Sequence, residues 1–142
     1  MFRTKQRIQQ TGEVFTPLEL VNEILDKLPL EVWQDPTKTF LDPAAGDGNF
    51  LVQVLIRKLN YTKCESVWGR CKIAFQALET VYGVELMEDN VDQCQIRLLQ
   101  QVEKYLTPKL YAFFQNDLVD IVNHNIVCHD ALTWDFWAVD PH

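Results

Sequence analysis

Apolar positions recur along the chain in two periods, and their alternation outlines its elements. Leu18, Val21, Ile24, Leu25 and Leu28 fall three and four residues apart, the spacing of one helix face, and Pro29 closes the run. Thr16-Pro17-Leu18-Glu19 reads as the start, with Thr16 as cap, Pro17 at the first helical position and Glu19 completing a capping box. Residues 30–37 read as a connection punctuated by Asp35-Pro36. Thr39-Phe40-Leu41 predicts a short strand, stopped by the breaker-rich Asp42-Pro43-Ala44-Ala45-Gly46-Asp47-Gly48. Phe50, Leu51, Val54, Leu55 and Leu59 then form the stripe of a helix starting near Asn49, and a further helix follows near 66–79. Val81-Tyr82-Gly83-Val84-Glu85-Leu86 predicts a second strand, and Val91, Cys94, Leu98, Val102 and Tyr105 mark the helix behind it. After Pro108 another helix spans Leu110 to Val122, and Asn125-Ile126-Val127-Cys128 predicts a third strand. The first dozen residues are polar and read as an arm, residues 1–12.

Short apolar strands alternating with amphipathic helices specify parallel βαβ units, an α/β sandwich with right-handed crossovers. Ligands in such folds bind at the carboxyl ends of the strands. The length of 142 residues suits a single domain, and 47% hydrophobic against 23% charged residues is the balance of a chain that buries a core. No apolar run approaches the roughly 18 residues of a membrane span. Arg3, Lys5 and Arg7 have no apolar region behind them, so a secretory signal is not expected and the reading is cytoplasmic. Cys64, Cys71, Cys94 and Cys128 form no C-x-x-C pair and have no histidines at zinc-site spacing, so they read as buried free thiols, with no metal. A net charge of −7 argues against a domain whose main task is gripping phosphates, and the cluster Arg57, Lys58, Lys63, Arg70 and Lys72 reads as a solvated helix face.

Each predicted strand ends in something chemically distinctive. In Asp42-Pro43-Ala44-Ala45-Gly46-Asp47-Gly48-Asn49-Phe50, small residues remove bulk where strand turns to helix, so a ligand can approach the backbone and the amides of the helix start. A tight strand-helix connection is the plainer use of the same residues. The turn lacks the Lys and Ser/Thr of a triphosphate loop, and Leu51 stands where a third glycine would serve a dinucleotide. Asp42 suits a cationic group such as an amino-acid ammonium. Glu85 suits the two hydroxyls of a ribose, or is a solvated strand-end carboxylate. Asp130 suits an exocyclic adenine amine, or caps the segment after it. Ammonium, ribose and adenine amine together describe S-adenosylmethionine.

In these motifs the chain resembles the adenine-N6 DNA methyltransferases of restriction-modification type. Thr11-Gly12-Glu13-Val14-Phe15-Thr16-Pro17 resembles their motif X, the Asp42–Phe50 segment motif I, Gly83-Val84-Glu85-Leu86 motif II and His129-Asp130-Ala131-Leu132 motif III, in the family's order. The resemblance implies a partial Rossmann-like methyltransferase fold of about three parallel strands, with S-adenosyl-L-methionine as cofactor. Phe15 and Thr16 would close over the methionine part, with Asp42, Pro43, Ala44 and Gly46 beneath it. Glu85 would hold the ribose, Leu86 would pack on the adenine, and Asp130 with Ala131 would meet its amine. The chain departs from the pattern at Ala45, often Cys in the family, and at Asp47, often a small polar residue, which brings negative charge near the ligand carboxylate. The Asn/Asp-Pro-Pro-Tyr/Phe motif, whose ring stacks on the flipped base, is not found; Asp140-Pro141 is its nearest remnant.

The resemblance therefore implies a cofactor-binding part that stops short of the catalytic motif and does not methylate DNA alone, with DNA a partner only of a complete enzyme. It also implies that the first strand lacks the neighbour that covers it in the family, so that a protein partner or a second copy is expected at that edge. A non-catalytic binding or decoy protein is the competing reading, favoured by the acidic charge. A nicotinamide-type dinucleotide domain is the third and the least supported.

Overall fold

The structure, a computed structural model, describes residues 16–132. In chain order its elements are α1 (Leu18–Asp26), α2 (Leu30–Gln34), β1 (Phe40–Asp42), α3 (Asn49–Tyr61), α4 (Val67–Glu79), β2 (Val81–Glu85), α5 (Glu88–Leu106), α6 (Pro108–Asn125) and β3 (Ile126–Cys128). The strands form one parallel sheet in the order β1-β2-β3, with Phe40 opposite Val81 and Glu85 opposite Cys128. Parallel neighbours need long crossovers, and each crossover here is a pair of helices, α3–α4 and then α5–α6. This is a partial Rossmann-like sheet flanked by helices: the alternating pattern predicts its parallel α/β arrangement, and the resemblance implies its partial Rossmann-like form. Among the described residues no helix is long and apolar enough to cross a membrane.

The apolar stripes meet in one core. Val21, Leu55, Ala74, Cys94, Leu98, Val102 and Leu118 have no solvent exposure. Polar side chains bind the layers at their ends. Asn125 Nδ2 donates to the Glu79 carbonyl at 3.1 Å, joining the end of α6 to the end of α4. Gln95 Nε2 donates to the Ile126 carbonyl at 3.0 Å, joining α5 to β3. Asn125 thus completes α6 rather than opening the third strand.

Other departures have local causes. Pro17, not Thr16, is the cap residue of α1, and no side chain caps the helix. The Pro17 carbonyl accepts the first helical bond from Val21 N, while the Thr16 carbonyl accepts from Asn49 Nδ2. The predicted connection at 30–37 contains the short helix α2, because Trp33 stacks on Phe40 with ring centroids 5.2 Å apart and holds the segment to β1. Cys71 and Cys94 are buried free thiols, but Cys128 is exposed and Cys64 only partly covered.

The basic cluster is not a uniformly solvated face. Arg57 Nη2 reaches Asp26 at 2.7 Å and the Asn22 carbonyl at 3.2 Å, tying α3 to α1. Lys58 Nζ donates to the Lys38 carbonyl at 2.7 Å, and burial, opposed by the charge of Asp35, brings its pKa down to about 8. Arg70 lies 3.9 Å from the Tyr105 ring centroid and donates to the Tyr105 carbonyl. These cations join elements, which is a different use of charge from collecting phosphates.

Gly83 in β2 decides how closely the helices approach the sheet. A Cβ there would meet Leu51 Cδ1 at 2.7 Å and Ala45 Cβ at 3.1 Å. Gly83→Ala is therefore expected to destabilise the fold by about 1–3 kcal/mol, the usual cost of overpacking. Urea unfolding of the two proteins measures it, and equal midpoints would show that the core there is loose.

Candidate functional site

The chain leaves β1 at Asp42 and must reach the start of α3 within six residues. It does so by lying down on its neighbours. Ala45 N donates to the Val84 carbonyl at 2.9 Å, and Ala45 itself is 5% exposed. Gly46 and Gly48 have φ of +57° and +103°, a region that glycine enters without strain. Gly48 also sits on α5: a Cβ there would lie 3.0 Å from Cys94 Sγ. Glycine at position 48 is thus required by backbone shape and by contact.

Asp42 Oδ1 accepts from Ala44 N at 3.0 Å, which stiffens the turn. Burial raises the Asp42 pKa above the ordinary carboxylate value; the Ala44 bond opposes this and the charge of Glu85 adds to it. Two acidic strand ends therefore feel one another.

Glu85 is held from its own side of the turn. Its Oε2 accepts from Met87 N at 3.0 Å and from Asn90 Nδ2 at 2.9 Å. Both donors go to Oε2, so among the described residues Oε1 has no donor and is free to accept from a ligand. Glu85 is 9% exposed and Asn90 not at all, so the carboxylate is oriented rather than floppy. Leu86, next in the chain, is 56% exposed and offers an apolar surface at the strand end.

After β3, His129 N donates to the Glu85 carbonyl at 3.0 Å, carrying the next residues past the same sheet end. Asp130 is exposed, and its Oδ1 accepts from Leu132 N at 3.0 Å. That bond is the capping role. Ala131 is partly buried beside it. Phe15 lies outside the described residues, as do the arm at 1–12 and Asp140-Pro141. The structure thus gathers Asp42, Pro43, Ala44, Gly46, Glu85, Leu86, Asp130 and Ala131 at the carboxyl ends of the three strands.

Four further residues, Asn49, Asn90, Cys94 and Arg97, shape the site through contacts that the motifs do not reveal. Asn90, Cys94 and Arg97 fall on one face of α5, each under a different part of the site. Arg97 Nη1 donates to the Asp47 carbonyl at 3.0 Å and to Asn49 Oδ1 at 2.9 Å. The same nitrogen is 3.2 Å from Asp47 Oδ1. With its two N–H groups directed elsewhere, it faces that buried oxygen as a charge, without a directed hydrogen bond. Asn49 Nδ2 then donates to the Thr16 carbonyl at 2.9 Å. Thr16 is in this way joined to the loop that the resemblance places beneath the methionine part. The available signal was a polar residue at i and i+7 around a buried Cys at i+4, at the start of the most regular helix.

The sheet end is acidic throughout. Burial is the main cause that pushes the Cys94 thiol up to about 12; Arg97 opposes it, and Asp42, Asp47 and Glu85 reinforce it. Partial burial, then Glu88, Glu85 and Asp92, likewise raise the Cys128 thiol. Such a field favours cationic groups and disfavours phosphates.

The raised Asp42 pKa has a testable sign. The folded chain holds that proton more tightly than the unfolded chain, so the ionised group costs stability as pH rises above its ordinary value of 3.8. Asp42→Asn keeps an acceptor for Ala44 N and removes the charge. Its melting temperature without ligand is expected to exceed wild type at pH 7, with the gain vanishing below pH 3.8. A constant gain across that range would mean that ionisation is not its source.

Searches of curated proteins and of solved structures return no significant match. A family model described as N-6 DNA methylase matches residues 2–108, which include the loop after β1, β2 with Glu85, and the Asn90–Arg97 face of α5. The chain belongs to the N-6 DNA methylase family.

Proposed function

We propose that the chain is the S-adenosyl-L-methionine-binding part of a site-specific DNA adenine-N6 methyltransferase of restriction-modification type, acting in the cytoplasm. The observation that carries the reading is the oriented carboxylate of Glu85, with Oε2 bonded internally and Oε1 available, beside the desolvated Asp42. A ribose presents two hydroxyl donors and an amino acid presents an ammonium, and these two acceptors match them. Asp42, Pro43, Ala44 and Gly46, with Thr16 and Phe15, would hold the amino-acid part; Glu85, Leu86, Asp130 and Ala131 would hold the nucleoside. When bound, the cofactor supplies an electrophilic methyl group. Its positive sulfonium and ammonium also suit the acidic sheet end better than any phosphate would.

These 142 residues are not proposed to methylate DNA by themselves. They contain no Asn/Asp-Pro-Pro-Tyr/Phe motif to engage the target amine, and their net charge of −7 does not attract DNA. DNA is a partner of the complete enzyme. A non-catalytic binding or decoy protein is the second reading, favoured by that charge.

In either reading β1 needs a neighbour. Among the described residues it is the edge of the sheet, and Leu41 on it is 53% exposed. A groove of about 330 Å³ runs beside it, lined by Ile24 and Leu25 of α1, Leu28 just after it, Phe40 and Leu41 of β1, and Phe50 and Val54 of α3. A partner protein or a second copy is proposed to cover this edge. Solution mass at micromolar concentration should exceed that of the chain alone, or rise when its partner is added; a monomer that no partner binds would end the proposal.

Calorimetric titration with S-adenosylmethionine and S-adenosylhomocysteine tests the cofactor reading. Glu85→Gln is preferred to Ala because it leaves Asn90 a bonding partner. Saturable binding to wild type, weakened about 10–100-fold in Glu85→Gln, is expected from the roughly 1.5–3 kcal/mol of a hydrogen bond to a charged group. A folded protein that binds neither ligand would leave only the decoy reading.

A further inference from the structure

We propose that Arg97 is the charge-compensating and positioning residue of the cofactor loop, the feature that lets this chain carry an aspartate at position 47 and still accept the carboxylate end of S-adenosylmethionine. The inference rests on the cofactor reading above and goes beyond it, because it assigns a role to two residues that the three strand-end carboxylates do not require.

Asp47 stands between two glycines of positive φ, in the turn that leads into α3. A helix start ordinarily attracts anions through its unpaired amides. An unscreened carboxylate in the same turn would oppose a ligand carboxylate arriving there. Asp42 and Glu85 already make this sheet end negative, and their charges, with that of Asp47, converge on the Cys94 thiol. Arg97 is the cation that opposes them at that point. It lies 3.2 Å from Asp47 Oδ1, and the ion pair is partly shielded, with 17% of the Asp47 side chain and 31% of the Arg97 side chain exposed. The pair spans fifty positions of sequence, from the loop to the third turn of α5.

The bonding of Arg97 does more than cancel charge. Its Nη1 donates to the Asp47 carbonyl, which fixes the loop backbone, and to Asn49 Oδ1. The Asn49 amide is thereby turned so that Nδ2 donates to the Thr16 carbonyl at 2.9 Å. An amide has one acceptor oxygen and one donor nitrogen. With a cation on the oxygen side, the nitrogen must face Thr16. Arg97 thus sets the height at which the Thr16 segment lies over the loop, and its loss would both expose Asp47 and loosen that segment.

The test uses the whole chain and two probes, S-adenosylmethionine and 5′-methylthioadenosine, which has the same nucleoside but a neutral thioether in place of the sulfonium, and no ammonium or carboxylate. Calorimetry is run on wild type, Arg97→Leu, Asp47→Asn and the Arg97→Leu/Asp47→Asn double variant. Arg97→Leu should bind S-adenosylmethionine about tenfold or more weakly, as expected for an uncompensated, partly buried charge beside a ligand anion. Its affinity for 5′-methylthioadenosine should be little changed. Asp47→Asn in the same chain should restore most of the loss, although it cannot restore the bond to Asn49. Equal losses for both probes, or no rescue by Asp47→Asn, would show a purely structural Arg97 and overturn the proposal alone. If Arg97→Leu does not fold, Asp47→Asn by itself decides: unchanged or tighter S-adenosylmethionine binding supports charge compensation, and weaker binding overturns it. Wild type that binds neither probe overturns this proposal together with the cofactor reading beneath it.

Discussion

The site depends on one constraint, that the backbone between β1 and α3 must lie flat against both β2 and α5. The Ala45 amide hydrogen-bonded to Val84 and the absence of a side chain at Gly83 set the approach to the sheet. The contact of Gly48 with Cys94 sets the approach to the helix. Once the loop is down, its position fixes the rest. Asp42 is drawn out of water, Asp47 is brought against Arg97, and Asn49 comes within reach of Thr16. A small side chain is needed wherever two backbones touch, so bulk at any of these positions would lift the loop and scatter the charged groups around it.

That geometry gathers negative charge in a partly desolvated place, which does not favour stability. The raised pKa of Asp42 and the unbonded Oδ1 of Asp47 are both signs of it. Structural carboxylates are normally given directed donors, as Asn90 and the Met87 amide do for one oxygen of Glu85. Where the donors stop short, the remaining acceptors suit something the chain does not itself contain. Burial of unmatched acceptors at one end of a sheet, while the opposite end is tied by Asn125 and Lys58, is the pattern expected when part of the stability is supplied by a ligand.

Much of this was legible in the sequence because it is local. The strands were visible as apolar runs ended by breakers, and the strand-end residues Asp42, Glu85 and Asp130 followed from where those runs stopped. Element ends were less legible. Asn125 looks like the start of a strand until its amide is seen to bind the end of α4, and residues 30–34 look like a loop until Trp33 finds Phe40. Least legible were the roles of Asn90, Asn49 and Arg97. Each acts through a partner fixed only by the tertiary fold, and the Arg97–Asp47 pair spans two crossovers' worth of packing. The basic residues misled for the same reason: Arg57 and Arg70 sit in a sequence cluster, but their partners lie on α1 and on α5.

Among the described residues β1 is an edge strand, and it leads directly into the same loop. A parallel strand is stabilised by neighbours on both sides and by cover on both faces, and β1 is only three residues long with β2 as its one neighbour among the described residues. It also carries Asp42, so a change in the register or tilt of β1 moves the acidic group directly. Any strand that pairs along Phe40–Asp42 would rigidify the segment from which the loop departs. It would also exclude water from the groove between α1 and α3, whose lining is almost wholly apolar apart from Asp42. A strand paired at this edge and a ligand held at Asp42 would therefore not act independently: each would order β1, and either would lower the entropic cost of the other.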